Sequence, residues 1–255
     1  HGDYQIVMAE PLNSISAYQV TTDLTQPLRP IWRTPGRAMT TQSPQMEGLA
    51  SGDIDQDGVD EVLFVREMPD GHSRLIALGL NGIKRWHYDF IDFNGRSPIW
   101  NECGTTRWAV GHFTNSDRLD VMVSNRRSIM HSDETVVINT RTNTVAWHRD
   151  ILEMPNHTRG YGGGRYSIAS MGEDQLDNII QAYPAEFSII DGRTGKQITT
   201  FNLGPVEGSN HWVIDGTPIV VNSEITIVTH PSMVIALQNK SDQTSILWRT
   251  EPNDG

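Results

Sequence analysis

Short apolar runs recur along the whole chain, separated by clusters of Gly, Asn, Asp and Pro. Apolar residues at the three- and four-residue spacing of an amphipathic helix are nearly absent. Runs rich in Val, Ile, Leu and Tyr between turn-forming residues are typical of β-strands. The pattern therefore predicts an all-β chain.

The predicted strands form a unit that repeats five times. Its second half is a strand, a turn and a strand ending in an aromatic residue, and these closing aromatics are Trp32, Trp86, Trp147, Phe201 and Trp248. Another apolar run precedes each hairpin, as in GDYQIVMA, DGVDEVLFV, SDRLDVMVS, DQLDNIIQA and NSEITIVTH. A strand–loop–strand followed by a strand–turn–strand is the four-stranded blade of a β-propeller.

We therefore predict one propeller region, 1–255, with about five four-stranded blades at approximately 1–35, 36–90, 91–150, 151–204 and 205–250. The first blade is expected to be truncated, because HGDYQIVMA already belongs to its second strand. The segment after Trp248 is too short to supply the missing strand. This favours an incomplete part of a larger propeller of seven or eight blades, with the remaining blades lost or on another chain, and a complete five-bladed ring is the alternative.

Composition narrows the possible partners. The 20 basic and 31 acidic residues give a net charge of -11, which argues against a nucleic-acid surface and permits cation binding. The single cysteine, Cys103, excludes an internal disulfide. No apolar run is long enough to span a membrane. The chain starts at His1 without a signal-like segment, so we expect an export signal to have been removed and the protein to be secreted, periplasmic or on the cell surface.

The stretch GDIDQDGVDE predicts a calcium site. Carboxylates alternate along the loop, Gly58 permits a sharp turn, and calcium prefers six to eight hard oxygen ligands. The expected ligands are the side chains of Asp53, Asp55, Asp57 and Glu61 with the carbonyl of Val59. The loop is not an EF-hand, because Glu61 comes too early and no helix flanks it. A solvated acidic turn is the alternative.

The equivalent loop of the third repeat has lost most of these ligands. His112, Thr114 and Ser116 align with the three aspartates, and only Asp120 keeps a carboxylate. We expect that loop to bind calcium weakly or not at all, and we interpret His112 as structural. One ion in one blade is expected to stabilise the fold rather than to take part in a reaction.

These repeats resemble known propeller families. GDIDQDGVDEVLFV resembles the calcium-binding strand pair of FG-GAP or VCBS repeats, as in integrin α-subunits, and the outer hairpins with DGRTGKQ and a closing Trp resemble quinoprotein-type blades. Both halves together are similar to the propeller polysaccharide lyases, the rhamnogalacturonan and ulvan lyases. This resemblance implies a secreted enzyme that acts on an anionic polysaccharide.

In a propeller, the loops between the second and third strands share one face with the loops that lead to the next blade. On that face the sequence collects basic, aromatic and histidine residues from 126–134, 148–166, 183–186, 204–216 and 229–232. The candidate catalytic residues are His131, Tyr183, His157 and Tyr161, and the candidate substrate-binding residues are Arg126, Arg127, Arg159, Arg165, Tyr166, His211 and Trp212. The bland alternative is that these residues are ordinary loop residues or brace the junctions between blades.

This set of residue types suits β-elimination on a uronic-acid polysaccharide. Arg neutralises the sugar carboxylate and so acidifies the neighbouring C–H group, His removes the proton, and Tyr protonates the departing oxygen. The resemblance to ulvan lyases implies the acid–base role of a histidine such as His131. A non-catalytic binding or adhesion module is the main alternative. The carboxylates on the same face leave a glycosidase open, and the outer hairpins suggest quinone-dependent dehydrogenase chemistry as a third option.

Overall fold

The computed structural model describes thirteen segments of the chain: 5–10, 14–35, 49–69, 72–90, 106–115, 117–128, 131–150, 165–171, 175–182, 186–202, 218–230, 233–240 and 243–250. Within these segments the regular structure consists of β-strands. None of the described residues forms a helix that is long and apolar enough to cross a membrane. The backbone contacts divide the chain into two compact units, His1–Val110 and Gly111–Gly255.

The first unit contains two antiparallel sheets. Sheet 1 has the order β1 (Gln5–Glu10), β2 (Ser14–Val20) and β3 (Leu28–Pro35). Sheet 2 has the order β4 (Ala50–Gly52), β5 (Glu61–Glu67), β6 (Ser73–Leu78) and β7 (Lys84–Phe90). Sheet 1 therefore has three described strands and sheet 2 has four.

Three four-stranded antiparallel sheets follow. Sheet 3 consists of β8 (Thr106–Gly111), at whose last residue the second unit begins, β9 (Asp120–Ser128), β10 (His131–Asn139) and β11 (Thr144–Asp150). Sheet 4 consists of β12 (Arg165–Ser170), β13 (Asp177–Ala182), β14 (Glu186–Ile190) and β15 (Gln197–Asn202). Sheet 5 consists of β16 (Ile219–Asn222), β17 (Ile225–His230), β18 (Met233–Lys240) and β19 (Gln243–Arg249). The predicted repeat of four-stranded blades is confirmed.

The cores lie between neighbouring sheets because the two middle strands of each four-stranded sheet, and β2 of sheet 1, carry buried apolar residues. In the first unit, Ile15 of sheet 1 packs in one cluster with Phe64, Ile76 and Leu78 of sheet 2. In the second unit, a cluster of sheet 4 residues, including Phe187, packs with residues of sheet 5. Such two-sided burial explains the nearly continuous apolar runs in the sequence.

A β-bulge recurs in the outer hairpins. In four sheets the residue opposite the closing Trp directly precedes the register shift: Ala17 faces Trp32, Ala77 faces Trp86, Val137 faces Trp147 and Ala236 faces Trp248. A bulge bends the strand and increases its twist. The sequence repeat therefore corresponds to a repeat of local backbone geometry in four of the five sheets, whereas in sheet 4 the shift follows Ile189, which faces Thr199 rather than Phe201.

One predicted loop is shorter than the sequence suggested. We expected 126–134 to be a loop, but β9 continues to Ser128 and β10 begins at His131. The strands extend because the two segments pair in register, with Asp133 opposite Arg126 and Glu134 opposite Asn125. Only 129–130 connects the two strands.

Candidate functional site

The acidic loop of sheet 2 connects β4 to β5 and is folded by its own side chains. Asp53 Oδ2 accepts a hydrogen bond from the Gly58 amide at 3.0 Å, and Asp55 Oδ1 accepts one from the Asp57 amide at 3.2 Å. Gly58 has a φ of 86°, which a side chain would oppose. These bonds close the loop around its carboxylates.

Three carboxylates converge in this loop. One carboxylate oxygen from each of Asp53, Asp55 and Glu61 lies within 4.8 Å of the others. Asp53 Oδ1 is buried and has no hydrogen-bond partner among the residues that the structure describes. Glu61 is 1% exposed, and its burial raises the pKa of its carboxyl group, with the charges of Asp55 and Asp57 adding to the effect. A hard cation fits this donor set, since it would neutralise the mutual repulsion and bind the orphaned oxygen.

One of the five predicted ligands, Asp57, has other contacts in this structure. Asp57 lies outside the group of three carboxylates; its Oδ1 accepts a hydrogen bond from the Val59 amide at 3.0 Å, and its Oδ2 lies 3.9 Å from Arg85 Nη2. The Val59 side chain is exposed. The geometry thus brings together Asp53, Asp55 and Glu61 and leaves Asp57 at the rim of the loop.

In the equivalent loop of sheet 3, hydrogen bonds from neutral groups take the place of the converging carboxylates. Asp120, aligned with Glu61, is 1% exposed, and its Oδ2 accepts hydrogen bonds from the amide and hydroxyl of Thr114, both at 2.7 Å. Its Oδ1 accepts one from the Thr140 amide at 3.2 Å, and Asn139 Nδ2 donates to the Thr114 hydroxyl at 2.6 Å. This network of neutral donors replaces the crowded carboxylates and occupies both oxygens of Asp120.

The role of Glu61 becomes clear from this comparison. Its Oε2 accepts hydrogen bonds from the amides of Ile54, at 2.9 Å, and Asp55, at 3.4 Å. Asp120 accepts the equivalent hydrogen bond from the Thr114 amide. Ile54 and Phe113, which occupy the same position in the two loops, are both fully buried. The carboxylate at this position therefore holds the loop backbone in both sheets, and the alternating aspartates distinguish the loop of sheet 2 as the candidate cation site.

A contact between sheets 3 and 4 shows which ends of the two sheets lie next to each other. The His112 amide, just after β8, donates to Asp177 Oδ2 at 2.7 Å, and the Asp177 amide donates to the His112 carbonyl at 2.9 Å. The ring Nδ1 of His112 lies 3.2 Å from the Arg118 carbonyl, in agreement with a structural role. Since β8 and β12 finish at this contact, their first residues lie at the opposite end of the two sheets.

Sheet 5 follows in the same direction. The Ser167 hydroxyl near the start of β12 donates to the carbonyl of Pro218, which precedes β16. Strands β12 and β16 also contact each other. The ends of sheets 3, 4 and 5 at which the second strand finishes and the third begins are therefore neighbours.

Several predicted polysaccharide-site residues occupy this common end. Arg126 and Arg127 lie within the last three residues of β9. His131 is the first residue of β10, and Arg165 is the first residue of β12. His131 pairs with Ser128 in the register, and Arg165 pairs with Ala182. The hydroxyl of Tyr166 accepts a 3.0 Å hydrogen bond from Gln181 Nε2. The other predicted residues, Tyr183, His157, Tyr161, Arg159, His211 and Trp212, lie outside the described residues.

The sequence interpretation missed a polar cluster in sheet 2. At the end opposite the acidic loop, Arg74 binds both oxygens of Asp89, with Nη2 2.9 Å from Oδ2, and His72 Nε2 lies 3.4 Å from Asp89 Oδ1. The hydrogen bond from Arg74 lowers the pKa of the Asp89 carboxyl group. Burial lowers the pKa of the nearby His87, and Lys84 and Arg74 add to this effect. The available signal was the Trp-His-x-Asp sequence, which recurs at 86–89 and 147–150.

The comparisons with known proteins support the fold. The sequence matches no protein-family model and no curated protein. Among solved structures it is similar to BamB from Moraxella catarrhalis, with a TM-score of 0.51, 17% identity, and coverage of 96% of this chain and 61% of BamB. It is similar to rhamnogalacturonan lyase YesW, with a TM-score of 0.50, 14% identity, and coverage of 89% and 49%. It is also similar to the Dos1 propeller, with a TM-score of 0.50, 9% identity, and coverage of 99% and 60%.

These similarities confirm the predicted β-propeller fold. At identities of 9% to 17% they carry no information about activity. The chain spans 49% to 61% of the length of these three proteins. The prediction that the chain is part of a larger propeller remains a prediction.

Proposed function

We propose that this chain is the calcium-stabilised propeller of a secreted polysaccharide lyase, which cleaves a uronic-acid-containing polysaccharide by β-elimination. The observation that carries this proposal is the common end of sheets 3, 4 and 5. There the register brings Arg126 opposite Asp133 and His131 opposite Ser128, while Arg165 begins the neighbouring sheet. Cationic and basic residues on adjacent strand ends suit a chain of sugar carboxylates.

The proposed chemistry needs three roles. An arginine, Arg126 or Arg165, neutralises the uronate carboxylate and so lowers the pKa of the C5–H group beside it. His131 removes the C5 proton, the electron pair forms the C4–C5 double bond, and the C4–O bond breaks. A tyrosine, Tyr183 or Tyr161, donates its proton to the departing glycosidic oxygen. No water is added, so the product carries an unsaturated sugar at its new end.

Calcium has a separate role in this proposal. Asp53, Asp55 and Glu61 would hold the ion, with Asp57 and the Val59 carbonyl as further candidates. When bound, the ion supplies charge neutralisation inside the loop. The loop lies at the end of sheet 2 where β4 finishes, which is the end away from the second-to-third strand connection. The ion is proposed to stabilise sheet 2 and to take no part in the elimination, because an arginine is assigned the neutralisation of the sugar carboxylate.

The experiment that tests this function uses the chain as it stands. The protein is incubated with ulvan, rhamnogalacturonan and related uronate polymers, and the ultraviolet absorbance of the unsaturated product is followed. We expect product from at least one polymer. Absence of product across the panel contradicts the lyase proposal.

The alternative function is a non-catalytic module that binds a carbohydrate or a protein. The same basic strand ends of sheets 3, 4 and 5 would suit an anionic partner that is bound without turnover. Binding measured on the same polymers separates the two proposals. Retained binding without product supports the module.

A further inference from the structure

The face of sheet 2 that packs against sheet 1 ends in a row of charged residues. The apolar part of this face packs with Ile15 of sheet 1 through three residues, Phe64, Ile76 and Leu78. Beyond this cluster, toward the connection between β5 and β6, Arg66 lies directly opposite Arg74, and Arg74 lies directly opposite Asp89. Directly opposite residues of antiparallel strands project from the same face, as do alternate residues of one strand. The row of Arg66, Arg74 and Asp89 therefore borders the apolar cluster between the two sheets.

The three charges of this row do not balance. Arg74 binds both oxygens of Asp89, with Nη2 2.9 Å from Oδ2. Arg66 is half-buried, and its guanidinium group forms no ion pair or hydrogen bond with the residues that the structure describes. Like charges directly opposite each other on a sheet are destabilising. The row thus carries one guanidinium group in excess, in a chain whose net charge is -11.

The repeated fold does not require this pair of arginines. Counted from the closing tryptophan, the same positions hold Asn125 and Glu134 opposite Asp150 in sheet 3. In sheet 5 they hold His230 opposite Met233. Neither sheet places two arginines side by side there, although the strands pair in the same way. The arginine pair of sheet 2 therefore indicates a role beyond strand pairing.

Two histidines complete the polar surface around the row. His72 Nε2 lies 3.4 Å from Asp89 Oδ1, and both side chains are partly exposed, at 23% and 22%. His87 lies two residues before Asp89 on β7 and therefore on the same face. Burial lowers the pKa of His87, and the charges of Lys84 and Arg74 lower it further, so its ring is uncharged at neutral pH. The row is thus open to solvent and surrounded by nitrogen donors.

We propose that Arg66, beside the Arg74–Asp89 pair, binds a monovalent oxyanion group, the carboxylate or the sulfate ester of an acidic sugar. One guanidinium group in excess matches one negative charge, and its planar N–H groups can bind two oxygens at once. This site shares no residue with the strand ends of sheets 3, 4 and 5, and it binds an acidic sugar without cleaving it. Only the choice of a sugar rests on the proposed function; the binding of the anion does not.

The test observes the Arg66 guanidinium group directly. The arginine side chains are labelled with ¹⁵N, and the Arg66 Nε resonance is assigned by its loss in Arg66→Lys. The full chain is titrated with galacturonate, with a galactose sulfate ester and, as the neutral control, with galactose. Dissociation constants are measured by calorimetry for Arg66→Gln and for its matched control Arg29→Gln. The control removes the same charge from an exposed arginine of sheet 1, which donates to Gln19 Oε1 at 2.7 Å.

We expect galacturonate, the sulfate ester or both to shift the Arg66 resonance, and galactose to leave it unchanged. A response to galacturonate alone identifies a carboxylate site, and a response to the ester alone identifies a sulfate site. Arg66→Gln should weaken binding roughly 10-fold or more, because charge-assisted hydrogen bonds are lost. Arg29→Gln should leave the dissociation constant unchanged.

An Arg66 resonance that neither anion shifts overturns the proposal. An equal response to galactose, or an equal loss of affinity in the two glutamine variants, overturns it as well. The titration of the unaltered chain does not depend on the folding of either glutamine variant. It also needs no turnover, so its result is separate from that of the polymer assay.

Discussion

The indole Nε1 of Trp147 donates a 2.7 Å hydrogen bond to the carbonyl oxygen of Gly192, 45 residues later in the chain, and its ring lies against Gly195. This contact makes the glycine a sharp test of the packing between sheets 3 and 4. We expect Gly195→Ala to lower the free energy of unfolding by about 3 kcal/mol, from backbone strain and from overlap with the indole. Urea unfolding measures the change.

Gly58→Ala is the matched control for Gly195→Ala. Gly58 also has a positive φ, 86°, but no atom lies within 4 Å of an added Cβ. We expect only the strain cost, about 1 to 2 kcal/mol, when unfolding is measured in chelator so that ion binding does not contribute. Equal effects of the two substitutions would contradict the importance of the indole contact.

Calcium should stabilise the protein through the acidic loop. An ion that binds only the folded state adds about 2.7 kcal/mol at a free concentration of 100 times its dissociation constant. We therefore expect calcium to raise the melting temperature and a chelator to lower it. Asp55→Ala should abolish this response, because it removes one of the three converging carboxylates.

Thr114→Ala, at the aligned position of sheet 3, is the control for the calcium experiment. This substitution removes hydrogen bonds to Asp120 and Asn139 and should lower stability. The increase in melting temperature on adding calcium should remain. If this variant no longer responded to calcium, the ion would have to be assigned to the loop of sheet 3 instead.

Asp120→Ala should destabilise the protein equally with and without calcium. The buried carboxylate accepts hydrogen bonds from Thr114 and Thr140, and its removal leaves those donors unsatisfied. We expect a loss of about 3 kcal/mol in the free energy of unfolding. A loss that calcium reverses would indicate that this loop also binds the ion.

The Arg74–Asp89 pair should make stability depend on pH in the acid range. The pKa of Asp89 is lowered in the folded protein, so the pair contributes its stability above the ordinary value of 3.8 and loses it as the pH falls through the lower folded value. Arg74, His72 and His87 are the charged and titratable groups that act on this carboxylate. Asp89→Asn should therefore weaken the acid dependence of the melting temperature, by an amount that corresponds to about 1 kcal/mol or less. An unchanged profile would contradict the pairing.

The lyase proposal predicts unequal effects of two histidine substitutions in sheet 3. His131→Ala should lower turnover by roughly 100-fold or more, as expected for loss of a general base, with an unchanged melting temperature. His148→Ala, on the exposed side of the outermost strand β11, should leave turnover unchanged. Similar turnover in the two variants would contradict the assignment of His131 as the general base.

The repeat and its strands were predictable because the buried strands of each sheet appear in the sequence as short apolar runs. Trp32, Trp86, Trp147, Phe201 and Trp248 mark the outer strands without any knowledge of contacts. The carbonyl partners of Trp32 and Trp147 were not predictable, because a backbone carbonyl leaves no signature in the sequence and glycine in a turn has several explanations. The position of Asp57 outside the three converging carboxylates depends on its hydrogen bond to Val59, which ligand spacing does not reveal.

The candidate polysaccharide site was predictable only as a set of strand ends. Alternation of strands shows which ends of a sheet coincide, and this brought His131 and Arg165 to one end of their sheets. The sequence overestimated the loop at 126–134, because polar residues such as Arg126 and Asp133 pair across the strands as readily as they fill a loop. The Arg74–Asp89 contact was missed for the same reason.

The Trp-to-glycine contacts give the chain a direction. Trp32 binds a turn 48 residues later, and Trp147 binds one 45 residues later. During synthesis, each of these indoles leaves the ribosome before the turn that covers it. A growing chain that has just completed sheet 1 or sheet 3 therefore ends in a tryptophan that is still uncovered, and the hairpin turn of the following sheet completes the burial of that tryptophan.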